Sequence, residues 1–274
     1  MRPLAVTLAG LLTAPAAFAQ GEPKAQPANP PAAPAMSEKN KQYLDVYLQK
    51  WEERMAKIEG LETKCVLTET DQTGKKTIRT GDASLLKPNY SKLLLKLADE
   101  PTNAKKWIHF VADGEYLRQY DYTQKVILTD RLPKEGIGDN SMMSFLFMTK
   151  AADLKKRYDL TIDIDDPKRT TDYYLFIDIR PKTKDDAIEF KNAQLVLWKN
   201  NADAKFFDRW MLPARLWFQK PNGEQIMWEF KELTTKKALL PRDFKAPAPP
   251  DKEWKPQWMH APPPTVTRRS APGK

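Results

Sequence analysis

The chain has 274 residues, 41% of them apolar, enough for one large domain or two small ones, and its single cysteine excludes an intrachain disulfide. Its formal charge is +9, but the 45 basic residues are scattered among 36 acidic ones, which is the pattern of a solvated surface. The basic balance also suits an anionic membrane surface or an acidic partner, whereas nucleic acid is not expected, because no nucleic-acid motif accompanies the charge.

Arg2 precedes the apolar stretch Leu4 to Phe18, and Ala17-Phe18-Ala19 has the small-x-small form that signal peptidase cuts. Residues 1–19 therefore read as a signal peptide, with a mature chain that starts at Gln20 and is soluble in the periplasm or outside the cell. The stretch is short for a span and Pro15 interrupts it, and the lone Cys65 is too far from the cut to carry a lipid anchor. Residues 20–36 carry Pro23, Pro27, Pro30, Pro31 and Pro34 among Ala and Gln and read as an extended linker.

Ser37 can cap a helix whose apolar residues Leu44, Leu48, Trp51, Met55 and Ile58 recur at helical spacing, and Gly60 can end it. The period then changes to two. Strands are predicted at Leu61 to Thr70, Lys76 to Leu86, Tyr90 to Ala98, Lys106 to Asp113, Glu115 to Tyr122 and Lys125 to Thr129, punctuated by Gly74, Pro88 and Asp113-Gly114. Ser141 to Met148 is apolar on every side yet far shorter than the ~20 residues that cross a bilayer, so it should be covered, as a plug or lid over the sheet.

A second helical piece, Ala151 to Arg157, precedes strands at Tyr158 to Ile164, Asp172 to Arg180, Glu189 to Trp198, Arg209 to Gln219 and Gln225 to Leu233. Pro221-Asn222-Gly223 is the clearest hairpin signal among them. Short connections make neighbours antiparallel. The expected fold is α+β: a strongly curved antiparallel half-barrel of about eleven strands, with helices lining or covering its concave face, over residues 37–246. Residues 247–274 form a proline-rich tail whose Trp254, Trp258 and Met259 either pack back onto the domain or serve as a partner motif.

Catalytic chemistry is missing from the sequence. His109 and His260 are too far apart to form a metal pair by spacing, and no phosphate loop, nucleophile elbow or paired-cysteine site occurs. Cys65 alternates with Leu61, Thr63 and Leu67 and reads as a small core residue. Asp163, Asp165 and Asp166 lack the glycine turn and distal glutamate of a calcium loop and read, like Asp185-Asp186, as solvated turns. No catalytic residue, metal ligand or cofactor is assigned, and the chain is read as a non-enzyme.

The order helix, six strands, apolar helical run and five strands, with Gly81 to Asn89, Val111 to Asp121 and Ser144-Phe145-Leu146-Phe147, resembles the LolA- and LolB-like periplasmic lipoprotein carriers. The resemblance runs from Tyr43 to Phe244, and the proline-rich flanks are similar to those of secreted proteins of planctomycete-type bacteria. It implies a half-barrel that shelters acyl chains of lipid or lipoprotein. In the carriers a basic residue just before a proline, usually arginine, holds the lid helices shut. Lys87 stands there, so a latch of that kind is expected to be weaker or absent.

Alternation and resemblance together place Leu93, Leu95, Phe110, Leu117, Trp210, Leu216, Trp228 and Phe230 on the cavity wall, with Trp51, Met142, Phe145, Leu146 and Met148 as lid. An ordinary filled core would use the same residues, and a slip of one residue would turn the whole set outward. Two functions follow: a carrier or binding protein for an apolar ligand, or an envelope sensor or scaffold that binds a protein partner through the same fold and its proline-rich arms.

Overall fold

The computed structural model describes residues 36–132, 150–166, 171–199, 207–235, 238–249 and 251–260. Helix α1, Glu38–Ala56, begins where Ser37 Oγ accepts from the Asn40 amide at 3.2 Å. It ends without help from Gly60. The Lys57 amide closes on the carbonyls of Arg54 and Met55, so the last turn needs no left-handed residue. Gly60 instead opens the first strand, where an added Cβ would lie 3.1 Å from the Leu239 side chain.

Six strands follow: β1 Gly60–Thr70, β2 Lys76–Leu86, β3 Tyr90–Leu97, β4 Ile108–Asp113, β5 Tyr116–Asp121 and β6 Val126–Arg131. Their turns at Gly74 and Gly114 have φ of 84° and 97°, which glycine adopts without penalty. Then come α2 Ala151–Arg157, β7 Tyr158–Thr161, β8 Tyr174–Pro181, α3 Lys184–Glu189, β9 Asn192–Trp198, β10 Pro213–Gln219, β11 Gln225–Thr234 and β12 Lys255–Trp258.

All twelve strands among the described residues belong to one sheet, in the order β12-β6-β5-β4-β3-β2-β1-β11-β10-β9-β8-β7. Every neighbouring pair is antiparallel except β12 on β6. Two meanders, β1 to β6 and β7 to β11, thus meet at a single seam where β1 pairs with β11. The main core lies on the concave face and joins residues from both meanders to Leu44, Leu48, Trp51 and Met55 of α1 and Leu154 of α2. This is the expected α+β half-barrel.

Three differences from the sequence reading have physical causes. A twelfth strand arises in the proline-rich tail, because Pro256 sits on an edge strand, where a missing donor is tolerated, and Trp254 is buried beside it. The C-terminal segment thus packs back onto the sheet as far as Trp258. Asp185-Asp186 is no solvated turn: Thr183 Oγ1 accepts from the Asp186 amide, which starts α3 and delays β9 to Asn192. The strand expected from Arg209 begins only at Pro213, after Met211 turns the chain with φ of 58°.

The convex face carries a second, smaller core of Val111, Tyr120, Ile127 and Trp254. The C-terminal segment lies across it, fixed by Tyr120 donating to the Pro247 carbonyl at 2.8 Å and by fully buried Phe244 against Tyr90. This explains why β4 is buried on both faces.

Gly81 marks the tightest backbone approach in the sheet, since an added Cβ would fall 1.8 Å from the Leu94 carbonyl oxygen, whereas Gly74 has nothing within 4 Å. Gly81→Ala is therefore expected to destabilise the fold by roughly 2 kcal/mol or more through forced backbone shifts, and Gly74→Ala by about 1 kcal/mol through its positive φ alone. Thermal unfolding followed by circular dichroism checks the order; equal losses would contradict it.

Candidate ligand-binding site

Residues directly opposite across a sheet share a face. The register sets Leu93 opposite Phe110, Leu95 opposite Ile108, Ala112 opposite Leu117, Cys65 opposite Phe230, and Trp228 opposite both Leu67 and Leu216. Leu93, Leu95, Phe110, Leu117, Leu216, Trp228 and Phe230 consequently all face the concave side. Trp210 does not stand on a strand; it lies in the turn before β10, half-buried against the main core.

The wall divides in two. Leu95, Leu216, Trp228 and Phe230 are packed in the main core with Trp51, which is 1% exposed, so α1 fills this stretch of the concavity. Phe110, Ala112 and Leu117 form a separate cluster, flanked by Leu93, Ile108 and Leu132, and no residue of α1 belongs to it. Of the lid candidates only Trp51 lies within the described residues; Met142, Phe145, Leu146 and Met148 lie outside them.

The end of α1 is tied down by Lys87, whose Nζ donates to the Met55 carbonyl at 2.7 Å. A cation suits this place, because the last carbonyls of a helix carry its negative end. Beside the bond lies an apolar cavity of about 40 Å³ lined by Met55, Ile58, Leu61, Leu85, Pro88 and Tyr90, room for a water but not for an acyl chain. Arg54 also donates to the Asp208 carbonyl at 3.0 Å, and Lys39 and Lys155 make solvent-exposed ion pairs with Asp165 and Asp45. Exposed pairs are screened and weak, so burial of its apolar face is what chiefly holds α1.

Two inward-facing polar groups interrupt the apolar cluster. Gln119 stands opposite both Phe110 and Leu128, and its buried Oε1 has no hydrogen-bond partner among the described residues. Asp130, 7% exposed, stands opposite Leu117; its Oδ1 accepts from the Arg131 amide and its Oδ2 lies 2.9 Å from Nδ1 of His260, on the C-terminal segment. Neither was singled out from the sequence. The signal was there: Leu117-x-Gln119 and Leu128-x-Asp130 put polar side chains at inward positions of alternating strands.

The remaining singled-out residues have structural surroundings. The Cys65 thiol is pushed up to about 12 by burial, with Asp82 adding to it. His109 is on the convex face, stacked on Tyr120 at 4.4 Å between ring centres, with Nδ1 2.9 Å from the Tyr122 hydroxyl. Asp163 accepts from the Asp165 amide at 3.1 Å. Buried Asp186 pairs with Arg157, and burial pushes the nearby Glu189 carboxyl up while Arg157 opposes the shift. Thr183-x-x-Asp186 is a helix-start pattern that the sequence displays. Among the described residues no three His, Cys, Asp or Glu side chains gather as a metal site.

No family model matches the sequence, and no curated protein matches it. Solved structures do show likeness. An uncharacterized conserved protein from Thermus thermophilus is 10% identical over 79% of this chain and 99% of its own, with a TM-score of 0.44. A LolA superfamily protein from Nitrosomonas europaea is 10% identical over 73% of this chain and 97% of its own, with a TM-score of 0.37. The MucA/MucB complex of Pseudomonas aeruginosa contains a chain 14% identical over 73% of this one and 61% of its own, with a TM-score of 0.38. The half-barrel itself rests on the strand order and register of this chain. No described helix is long and apolar enough to cross a membrane.

Burial, with a smaller contribution from the nearby Lys92 charge, lowers His109 from the usual histidine range to about 4. The unfolded chain takes up this proton near pH 6.5 and the folded one only near 4, so the unfolded state binds more protons between them. Stability should therefore fall as pH is lowered from about 6.5 to about 4, and His109→Phe should flatten that part of the profile. Urea titrations across the window check it; an unchanged slope in the variant would place the effect elsewhere.

Proposed function

We propose that the chain is a non-catalytic binding protein or carrier of the cell envelope, which holds an acyl chain of lipid or lipoprotein, or a similar apolar group, against the concave face of its half-barrel. The observation that supports this reading is the inward-facing apolar cluster of Phe110, Ala112 and Leu117, each no more than 6% exposed, which contains no residue of α1 and adjoins the main core through Leu93 and Ile108. Each methylene taken from water there is worth ~0.8 kcal/mol, so even a partly held chain supplies several kcal/mol. The filled stretch under α1 serves as the rigid back of the site, and Lys87 fixes its edge. The proposed signal peptide fits delivery to an envelope compartment, and the basic surface fits approach to anionic head groups.

A second reading, a sensor or scaffold that grips a protein partner, is favoured by one feature. The sheet already holds a peptide by strand addition, since β12 pairs with β6 and leaves Trp258 41% exposed.

Native mass spectrometry on the mature chain, secreted and purified without detergent, tests the first reading. The expected result is bound mass in the range of acyl lipids or lipoprotein, lost on Phe110→Asp. A clean apo mass that stays unchanged after incubation with envelope lipids would overturn it and direct the search to a protein partner of the C-terminal segment.

A further inference from the structure

The edge of β6 and the convex core beside it are occupied by the chain's own C-terminal segment. β12 is the one parallel strand among the described residues, and all four of its residues are exposed. The amides of Lys255 and Met259 donate at 2.9 Å to the carbonyls of Lys125 and Thr129. Burial falls on Trp254, 8% exposed in the cluster with Val111, Tyr120 and Ile127. Ahead of it Asp251 and Glu253 both pair with Lys125 at the surface, where ion pairs are weak. Behind it the half-exposed His260 reaches Asp130 at 2.9 Å. One aromatic anchor in a cleft, backbone bonds along a sheet edge and a few exposed charges are the parts of a docked peptide. β1, by contrast, is paired on both sides along nearly its whole length. The firm attachment of the segment lies upstream, where Phe244 is buried against Tyr90 and the Pro247 carbonyl accepts from Tyr120.

We infer that the β6 edge and the Trp254 cleft form a peptide-docking site, filled here by residues 251–260 as an exchangeable internal ligand, and that it takes in their place an extended segment of a partner protein with acidic residues just before an aromatic anchor. Lys125 reads the carboxylates, the cleft takes the ring, and a parallel strand follows along β6. This deepens the second reading above by naming the surface and the partner's chemistry, and it is independent of any ligand on the concave face. Pro256 limits the site to one segment. Successive amides of a strand point to opposite sides, so with Lys255 and Met259 facing β6 the missing amide of Pro256 falls on the outer edge, where it hinders a further strand.

The test uses the full mature chain and a fluorescein-labelled peptide of residues 249–260, followed by fluorescence anisotropy. A tethered segment competes with free peptide at an effective concentration on the order of millimolar, so the unaltered chain should bind the peptide weakly. Trp254→Ala in the chain empties the cleft and should tighten peptide binding by about tenfold or more, as the fraction of open sites rises. Lys255→Pro, which removes the amide bond to Lys125, should act in the same direction. Trp254→Ala made in the peptide instead should abolish binding, and Lys125→Glu added to the Trp254→Ala chain should weaken it several-fold. Equal binding by the unaltered and altered chains, no binding by either variant, or binding that survives loss of the peptide's anchor would each overturn the inference, while a scaffold that grips its partner elsewhere still stands. Unfolding of both variants, read by circular dichroism, would also overturn it, because residues 251–260 would then be part of the fold and not a ligand of it.

Discussion

The pairing of β1 with β11 is the constraint on which the rest of this structure depends. It joins strands separated by most of the domain, from Glu62 opposite Thr234 to Thr70 opposite Gln225, and turns two meanders into one sheet. A sheet this wide with one apolar concave face cannot stay open to water. Helix α1 answers that need, burying Leu44, Leu48, Trp51 and Met55 in one core with residues of both meanders. The seam also divides the concave wall. Close to it the concavity is filled by α1, and only farther out, on β3 to β5, does the apolar wall escape the helix.

The convex side solves a different problem. Strands β4 to β6 present Val111, Tyr120 and Ile127 outward, a greasy patch that would otherwise sit in water. The C-terminal segment covers it with Trp254, extends the sheet by β12, and ties itself to Lys125 through Asp251 and Glu253. It also delivers His260 to Asp130. The segment thus links the outer surface to the polar end of the concave cluster, which places the exposed face of the domain and its proposed site on one continuous stretch of chain.

Much of this was legible in the residues. The bounds of β2 and α2 followed from period and punctuation, and the parity of Leu93, Phe110, Leu117, Leu216, Trp228 and Phe230 followed from alternation, because a period of two leaves no third choice of face. What alternation could not give was depth. Whether an inward leucine lines a space or packs under a helix depends on where α1 lands, and that is set by long-range pairing at the seam rather than by local pattern. Trp210 was placed on a strand because nothing local announces the left-handed Met211. β12 was missed because four exposed residues with a proline at their second position look like linker until β6 supplies a partner. Gln119 and Asp130 were passed over as ordinary polar residues, though their inward parity was already fixed by Leu117 and Leu128.

The central claim is that the concave wall outside α1 receives the apolar ligand. Photo-crosslinking of the mature chain with a diazirine-bearing fatty alcohol, mapped by peptide mass spectrometry, tests it most directly. The account predicts label on Leu93, Phe110 and Leu117 and none on Val111 or Tyr120, their neighbours on the convex face. Label confined to the convex residues, or spread without regard to strand parity, would contradict it.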